Sequence, residues 1–326
     1  MRFSLAAVLL ACLLLPFTDL VIHTATPGDE LRRMFQGLIR PEVVSWNLLA
    51  QAIGLTFAFG LLGTLLSAPL GLVMALLWQS RLVRIIAASL RSIHELFWAL
   101  LLLHLFGLTP LTGLLAIALP FSGIFAKVYA EILAEQPDAA ISNLPPNTSR
   151  LSALLCVRLP EAWPQLRSYF FTRAECGMRS SAILGFVGLP TLGYHLEAAL
   201  AYGAYAEATS YFLGLIIVVG GFRLLVPAWS WPVWLLSLPW LLPGDWGIKT
   251  SSFWRFISHD IWPSSLRNGD MPALVEWSQN LLFNTILPGL GQTLLLSVLA
   301  LVATGALSLL LWPLAVRRMG GRIGQG

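Results

Sequence analysis

Long apolar segments alternate with short polar ones along almost the whole chain. Eight of them reach or approach the length of a spanning helix: residues 3–21, 48–78, 96–106, 111–129, 168–187, 205–222, 229–242 and 280–315. A helix rises about 1.5 Å per residue, so roughly 20 apolar residues cross the hydrocarbon core of a bilayer. The segments lack the alternation typical of barrel strands. The pattern predicts an all-α fold, a polytopic membrane helical bundle of about 8 spanning helices.

The segments between the first spans carry their own patterns. Segment 3–21 could be a signal peptide, but no clear small-x-small cleavage site follows it, which favours an uncleaved first span. In residues 23–45 the apolar side chains share helical spacing, which predicts an amphipathic helix on the outer membrane surface. Those side chains are Leu31, Phe35, Leu38 and Ile39.

The second apolar segment contains small residues that predict close helix packing. They are Gly54, Gly60, Gly63, Ser67 and Ala68, and Pro69 can kink the helix. The following residues, 79–91, contain three arginines and no acid, so we expect them on the cytoplasmic side. His94 and Glu95 would then lie at the inner end of the next span.

Composition supports a membrane protein. The 326 residues are 57% hydrophobic and 11% charged, whereas soluble domains average about 25% charged residues. Basic residues concentrate between the spans on the side predicted to be cytoplasmic, so we expect both termini there. This bias accounts for the pI of about 9.2 without a nucleic-acid partner.

The sequence offers no pattern for catalysis. The three cysteines suggest no disulfide framework, and the isolated histidines His94 and His104 lack metal-ligand spacing. No phosphate-binding Gly-x-x-x-x-Gly-Lys-(Ser/Thr) loop occurs. We therefore expect no catalytic residue, no metal, no cofactor and no enzymatic activity in the chain itself.

The most informative stretch is 159–194. It starts at a predicted break, Leu159-Pro160, and continues as an apolar segment that carries Arg173, Glu175 and Arg179. A charge inside a membrane helix costs at least about 2.5–3.5 kcal/mol, so such residues usually face a partner or a polar pathway. Glu175 and Arg179 are four residues apart, the spacing at which helical side chains can pair.

Two interpretations of these charges remain open. They could form a self-neutralising group that stabilises the bundle, or line a path for an anion. Two arginines against one glutamate leave positive charge, and arginine binds phosphorus oxyanions in bidentate geometry. The stretch ends in a turn that we interpret as an outer gate, containing Gly185, Gly188 and Gly193. No strand precedes these glycines, which argues against a nucleotide-binding loop.

Two motifs resemble a known family. Arg173-x-Glu175-x-Gly177-x-Arg179-Ser-Ser-Ala-Ile-Leu-Gly-Phe-Val-Gly resembles the permease subunits of phosphonate-type ABC importers, although Gly177 stands where the family has Asn. Upstream, Arg91-Ser-Ile-His-Glu95-Leu-Phe-Trp98-Ala-Leu is similar to the family's Arg-Ser-Ile-Pro-Glu-Leu-Val-Trp-Ala-Leu. The resemblance covers roughly residues 47–223.

The resemblance implies a membrane permease core whose alternating access is driven by a separate ABC ATPase subunit. It also implies an extracytoplasmic substrate-binding protein, a second permease half from the same or a different chain, contact with membrane lipid, and the bacterial inner (plasma) membrane. The expected solute is a phosphonate-, phosphite- or phosphate-like oxyanion. The family's ATPase-docking loop corresponds to residues 130–167, where its motif is degenerate. The coupling residues would be Asp138, Ala139, Ala140, Asn147, Leu159 and Pro160.

The end of the chain suggests a second domain. We predict a permease core of six spans in 1–223 and the start of a second, incomplete permease-like repeat of two spans in 224–326. The glycine-bearing helix at 56–68 can be laid on 293–305, although hydrophobic helices resemble one another in any case.

Two other functions stay open at this point. The degenerate loop also fits a pseudo-permease that only scaffolds a partner permease. A proton-coupled carrier is the third alternative, because Glu175 could titrate.

Overall fold

The computed structural model describes residues 16, 26–136, 148–225, 242 and 250–323, and every regular element among them is helical. The prediction of an all-α fold is therefore confirmed. By internal contacts the chain divides into two units, Gly28–Ser258 and a second that contains His259–Gly326. Almost all of the predicted spans at 3–21 and 229–242 lies outside the described residues.

The described helices are numbered here in chain order. The first unit contains α1 (Pro27–Ile39), α2 (Trp46–Leu76), α3 (Arg81–Ser92), α4 (Glu95–Phe106), α5 (Pro110–Ala134), α6 (Leu159–Ile183), α7 (Leu192–Ala201), α8 (Tyr205–Leu225) and α9 (Thr250–Arg255). The second contains α10 (Ser264–Arg267), α11 (Met271–Asn280) and α12 (Leu287–Ile323).

Several of these helices are long and apolar enough to cross a membrane. Among the described residues four qualify alone: α2, α5, the Tyr205–Phe222 part of α8, and the continuous helix Met271–Ser308. Two bent pairs qualify as well, α3 with α4 at 95° and Leu154–Val187 with α7 at 51°. Four to six spans in this part of the chain make it a multi-pass membrane protein.

Helices α2, α5 and α6 form the core of the first unit. Along α2, Gly63 packs against Ile117 and Gly71 against Phe125, so α2 and α5 run parallel. Helix α6 runs in the opposite direction to α5, because Phe125 contacts Tyr169 at a centroid distance of 5.6 Å while Phe121 contacts Arg173. The small residues of α2 thus pack as predicted at Gly63.

One member of the predicted small-residue face does not take part. A Cβ placed on Gly54 would meet nothing within 4 Å, whereas Ser67 is fully buried. Helix α2 also continues through Pro69 to Leu76.

The segment 79–91, predicted to lie on the cytoplasmic side, contains most of a helix, α3, at residues 81–92. Its three arginines lie on one side of the helix, as helical periodicity allows. In the sequence alone, the same arginines would also fit a polar loop. Ala87 and Leu90 pack on Gly123 near the middle of α5. The following helix, α4, is about 18 Å long at 1.5 Å per residue, too short to cross a bilayer alone.

The predicted break at Leu159-Pro160 is also wrong. A short helical turn (Arg150–Ala153) and a π-helical turn (Leu154–Arg158) lead into α6 without interruption. Pro160 has no N–H, and its ring would clash with the carbonyl of Cys156 in a regular α-helix. The wider π-helical turn removes this conflict, so the helix passes through the proline.

The second unit contains one long apolar helix. α12 confirms the helix predicted at 280–315, and no residue in the apolar window of Met271–Ser308 is buried. The predicted division into a core at 1–223 and an incomplete repeat at 224–326 stays a prediction.

Candidate functional site

The two motifs that carry the family resemblance meet in the structure. Ser180 of α6 donates a hydrogen bond through its Oγ to Oε1 of Glu95, the first residue of α4, at 2.6 Å. Nδ1 of His94, the preceding residue, accepts the Leu96 backbone N–H at 3.2 Å. A carboxylate in the first turn of a helix is favourable because it faces unsatisfied N–H groups. Glu95 is thus held between α4 and α6.

This contact places Glu95 beside the C-terminal part of α6. Ser180 lies about 30 Å from Leu159 along α6, at 1.5 Å per residue. The sequence interpretation placed Glu95 at the inner end of a span, because it took the arginines of 79–91 to mark the cytoplasmic side, and that depth stays a prediction.

Arg173 packs against aromatic side chains. Its Nε donates to the Tyr169 hydroxyl at 3.0 Å, and its guanidinium carbon lies 5.7 Å from the Phe121 ring centroid and 5.8 Å from that of Tyr169. Cation–π contacts of this kind offset part of the cost of removing the charge from water. The arrangement joins α6 to α5 and is the one expected of a bundle-stabilising residue.

The other two charges of α6 lie elsewhere on the helix. Glu175 is half-buried and Arg179 is exposed. Arg179 directly precedes Ser180 in sequence and lies about 100° from it around the helix.

Gly177 is required by close packing. A Cβ at this position would lie 2.5 Å from Thr64 Oγ1 and 2.8 Å from the Gly60 carbonyl oxygen. Gly60 faces the same contact, since its own Cβ would lie 2.9 Å from the Gly177 carbonyl oxygen. The backbones of α2 and α6 therefore touch where the family pattern has a side chain.

The glycines of the predicted gate form a tight turn after α6. A 3₁₀ turn, Leu184–Val187, is followed by Gly188 in the left-handed region (φ 96°). A Cβ on Gly185 would overlap the Tyr194 backbone, and one on Gly193 would overlap the Ala182 carbonyl. The turn folds back onto the end of α6, so two of its three glycines serve backbone packing.

The start of α7 is fixed to α2. The Leu192 backbone N–H donates to Oγ1 of Thr56 at 2.9 Å in a buried contact. The neighbouring Thr191 hydroxyl is fully buried and has no hydrogen-bond partner among the described residues.

Part of the predicted site cannot be placed. Asp138, Ala139, Ala140 and Asn147 lie outside the described residues, whereas Leu159 and Pro160 begin α6. Ser180 and Glu95 were not among the predicted site residues. The available signal was their position inside the two family-like motifs, and their contact spans 85 positions of sequence.

Curated relatives of this chain are permeases of phosphorus oxyanion importers. The phosphate-import permease protein PhnE of Mycolicibacterium smegmatis is 27% identical over 212 residues, covering 62% of this chain and 40% of the relative. The phosphite transport system permease protein PtxC of Stutzerimonas stutzeri is 25% identical over 174 residues, covering 50% of this chain and 63% of the relative. The chain thus spans less than two thirds of the length of these two proteins.

Other comparisons are weaker. The putative phosphite permease HtxC of Stutzerimonas stutzeri is 23% identical over 209 residues and is matched over 74% of its length. The inward-facing methionine ABC transporter MetNI is 18% identical, with a TM-score of 0.42 over 66% of this chain. No family model matches the chain.

The curated relatives are transporter subunits rather than enzymes, and their names agree with the family that the two motifs indicated. The chain is therefore similar to the permease subunits of phosphate and phosphite import systems.

Proposed function

We propose that the chain is the membrane-spanning permease subunit of an ABC importer for a small phosphorus oxyanion. The observation that carries the proposal is the similarity to a phosphate and a phosphite permease together with a multi-pass helical fold. A separate ATPase would supply the energy, and the chain itself would hydrolyse nothing.

The proposed solute follows from the charge of an exposed arginine in α6 and from the solutes named for the curated relatives. Phosphate and phosphite are anions, and an exposed guanidinium can bind such oxyanions in bidentate geometry. The exposed arginines of α6 are Arg167 and Arg179. Arg167 lies over the Phe171 ring, 6.0 Å from its centroid, whereas Arg179 directly precedes Ser180 of the Glu95 contact. Because Arg173 is occupied by Tyr169 and Phe121, we assign the solute-facing role to Arg179.

We also assign Glu175, the half-buried carboxylate of the same helix, to the proposed solute path. Gly185, Gly188 and Gly193 would hold the turn that closes one end of this path. Their role is to allow the turn to pack, since a side chain on Gly185 or Gly193 would overlap the backbone of a neighbouring segment.

The proposed partners follow from this function. An ABC ATPase would contact the segment that contains Asp138, Ala139, Ala140 and Asn147 and leads to Leu159 and Pro160. An extracytoplasmic binding protein would deliver the solute, and a second permease half would complete the pathway. In this arrangement both termini are cytoplasmic.

Uptake measurements test the solute and the role of Arg179. In cells that express the chain with an ABC ATPase and a phosphite- or phosphate-binding protein, Arg179→Ala should abolish phosphite or phosphate uptake and Arg179→Lys should retain part of it. Arg84→Ala is the matched control, because Arg84 is also exposed but lies on α3. Unchanged uptake in Arg179→Ala, at equal protein level, would remove this residue from the path.

Crosslinking tests the coupling role separately. A cysteine at Asn147, with Cys12, Cys156 and Cys176 replaced by serine, should crosslink to a cysteine in the groove of a co-purified ATPase. An assembled complex without this crosslink would contradict the proposed docking segment. The comparisons give no support to a pure scaffold or a proton-coupled carrier.

A further inference from the structure

Helix α1 exposes its apolar side and packs a polar side against the protein. The apolar side chains at positions 31, 34, 35, 38 and 39 follow the spacing of a single helical stripe. In a soluble protein this stripe would face the core. Here it is exposed, with relative exposures of 56% at Leu31, 62% at Phe35, 57% at Leu38 and 76% at Ile39.

The side that packs on the protein is polar. Oε2 of Glu30 accepts a hydrogen bond from the Tyr205 hydroxyl at 2.9 Å, and Oε1 of Glu30 pairs with Arg33 at 3.2 Å. Gly37 is buried, and a Cβ there would lie 2.6 Å from the Tyr205 backbone. Thus α1 docks on the first residue of α8 through charged groups and a glycine.

The third side of the helix carries Asp29, Arg32 and Gln36, all exposed. At 100° per residue these three positions lie between the docking side and the far edge of the apolar stripe. The helix therefore has one side for the protein, one apolar side and one polar side.

Helix α1 lies at the depth at which two candidate spans begin. It docks at the first residue of α8, which begins the candidate span Tyr205–Phe222. After a connection of six residues, α2 begins at Trp46, which starts the candidate span Trp46–Leu76 and is 75% exposed. Both spans thus start beside α1, and an exposed tryptophan at a span end is typical of the membrane–water interface.

We infer that α1 is an interfacial helix whose apolar stripe is covered by lipid acyl chains at the bilayer surface. A helix with this pattern lies in the plane of the interface with its apolar face about 5–10 Å below the headgroups. Exposed Arg32 and Arg40 lie where phospholipid phosphates would be. Lipid at the stripe and water at the polar side account for all three sides of the helix.

Spin-label accessibility in lipid nanodiscs tests this inference. In a background without Cys12, Cys156 and Cys176, single cysteines would replace Phe35 and Leu38 on the stripe, with Arg32 and Gln36 as matched controls on the polar side. All four positions are exposed, so the label should not disturb packing. Labels at 35 and 38 should collide with oxygen more often, and with a water-soluble nickel chelate several-fold less often, than labels at 32 and 36.

Two results would overturn the inference. Equal nickel accessibility at 35 and 32 would place the stripe in water. Shielding of position 35 from both oxygen and nickel would mean that protein covers it, including a bound partner. The test requires no transport, so its outcome is independent of the proposed solute.

Discussion

At the scale of single residues, the chain differs from the family pattern at a position where two of its helices, α2 and α6, are in contact. Gly177 stands where related permeases have asparagine, and the structure supplies a reason: the α2 backbone at Gly60 leaves no room for a side chain. The glycine at position 177 is therefore a packing requirement of this chain.

Restoring the family residue should destabilise the protein. Gly177→Asn would force apart α2 and α6 and should cost about 1–3 kcal/mol, the usual range for overpacking. Thermal unfolding in nanodiscs measures this effect. Gly54→Ala is the matched control, because a Cβ there meets nothing within 4 Å and alanine favours the helix. A Gly177→Asn protein as stable as the control would contradict the close contact.

The Glu95–Ser180 hydrogen bond should contribute to the stability of the first unit. Ser180→Ala leaves the carboxylate without this donor and should cost roughly 1–2 kcal/mol. Ser92→Ala serves as the control, since its hydroxyl bonds only to the Ser89 carbonyl one turn earlier in α3. Equal unfolding temperatures for the two variants would show that the contact contributes nothing.

At the scale of elements, the turn after α6 combines two kinds of glycine. Gly188 needs its left-handed φ but has room for a Cβ, which would lie 3.7 Å from Leu108 Cδ1, whereas Gly193 has no space for one. The two positions should therefore respond differently to alanine.

Gly188→Ala should remain folded with a loss of about 1–2 kcal/mol, the cost of a left-handed alanine. Gly193→Ala should prevent normal assembly, because the new Cβ would overlap the Ala182 carbonyl. Size-exclusion profiles and thermal unfolding of the two purified variants measure the difference. A smaller loss of stability in Gly193→Ala than in Gly188→Ala would contradict the close packing of the turn onto α6.

The docking of α1 on α8 depends on another buried glycine. Gly37→Val should detach the helix from Tyr205 and raise the mobility of a spin label at position 35. Gly28→Ala is the control within the same helix, since nothing lies within 4 Å of that position. A label equally immobile in both variants would argue that α1 is held by other contacts.

At the scale of the whole molecule, the apolar pattern was sufficient to predict an all-α membrane protein, and helical spacing predicted α1. Pattern alone assigned residues 79–91 to the cytoplasmic side and did not predict helix α3, because arginines on one side of a helix and arginines in a loop look alike in sequence. The Leu-Pro step looked like a break, because a π-helical turn that accommodates Pro160 leaves no sequence signature.

The site was harder to predict than the fold. Phe121, which stacks on Arg173, belongs to another helix, and Glu95 is 85 positions from Ser180. Contacts of this kind depend on how α4, α5 and α6 pack together, which a single sequence does not specify. The family resemblance identified both motifs but not the hydrogen bond between them.

The central claim is that this chain carries a phosphorus oxyanion across a membrane at the expense of ATP. The most direct test is radiolabelled phosphite and phosphate uptake into proteoliposomes that contain the chain with an ABC ATPase and a phosphite- or phosphate-binding protein. We predict uptake that requires both hydrolysable ATP and the binding protein, and that excess unlabelled sulfate does not suppress. No uptake by an assembled complex that hydrolyses ATP, or uptake that persists without ATP, would contradict the account.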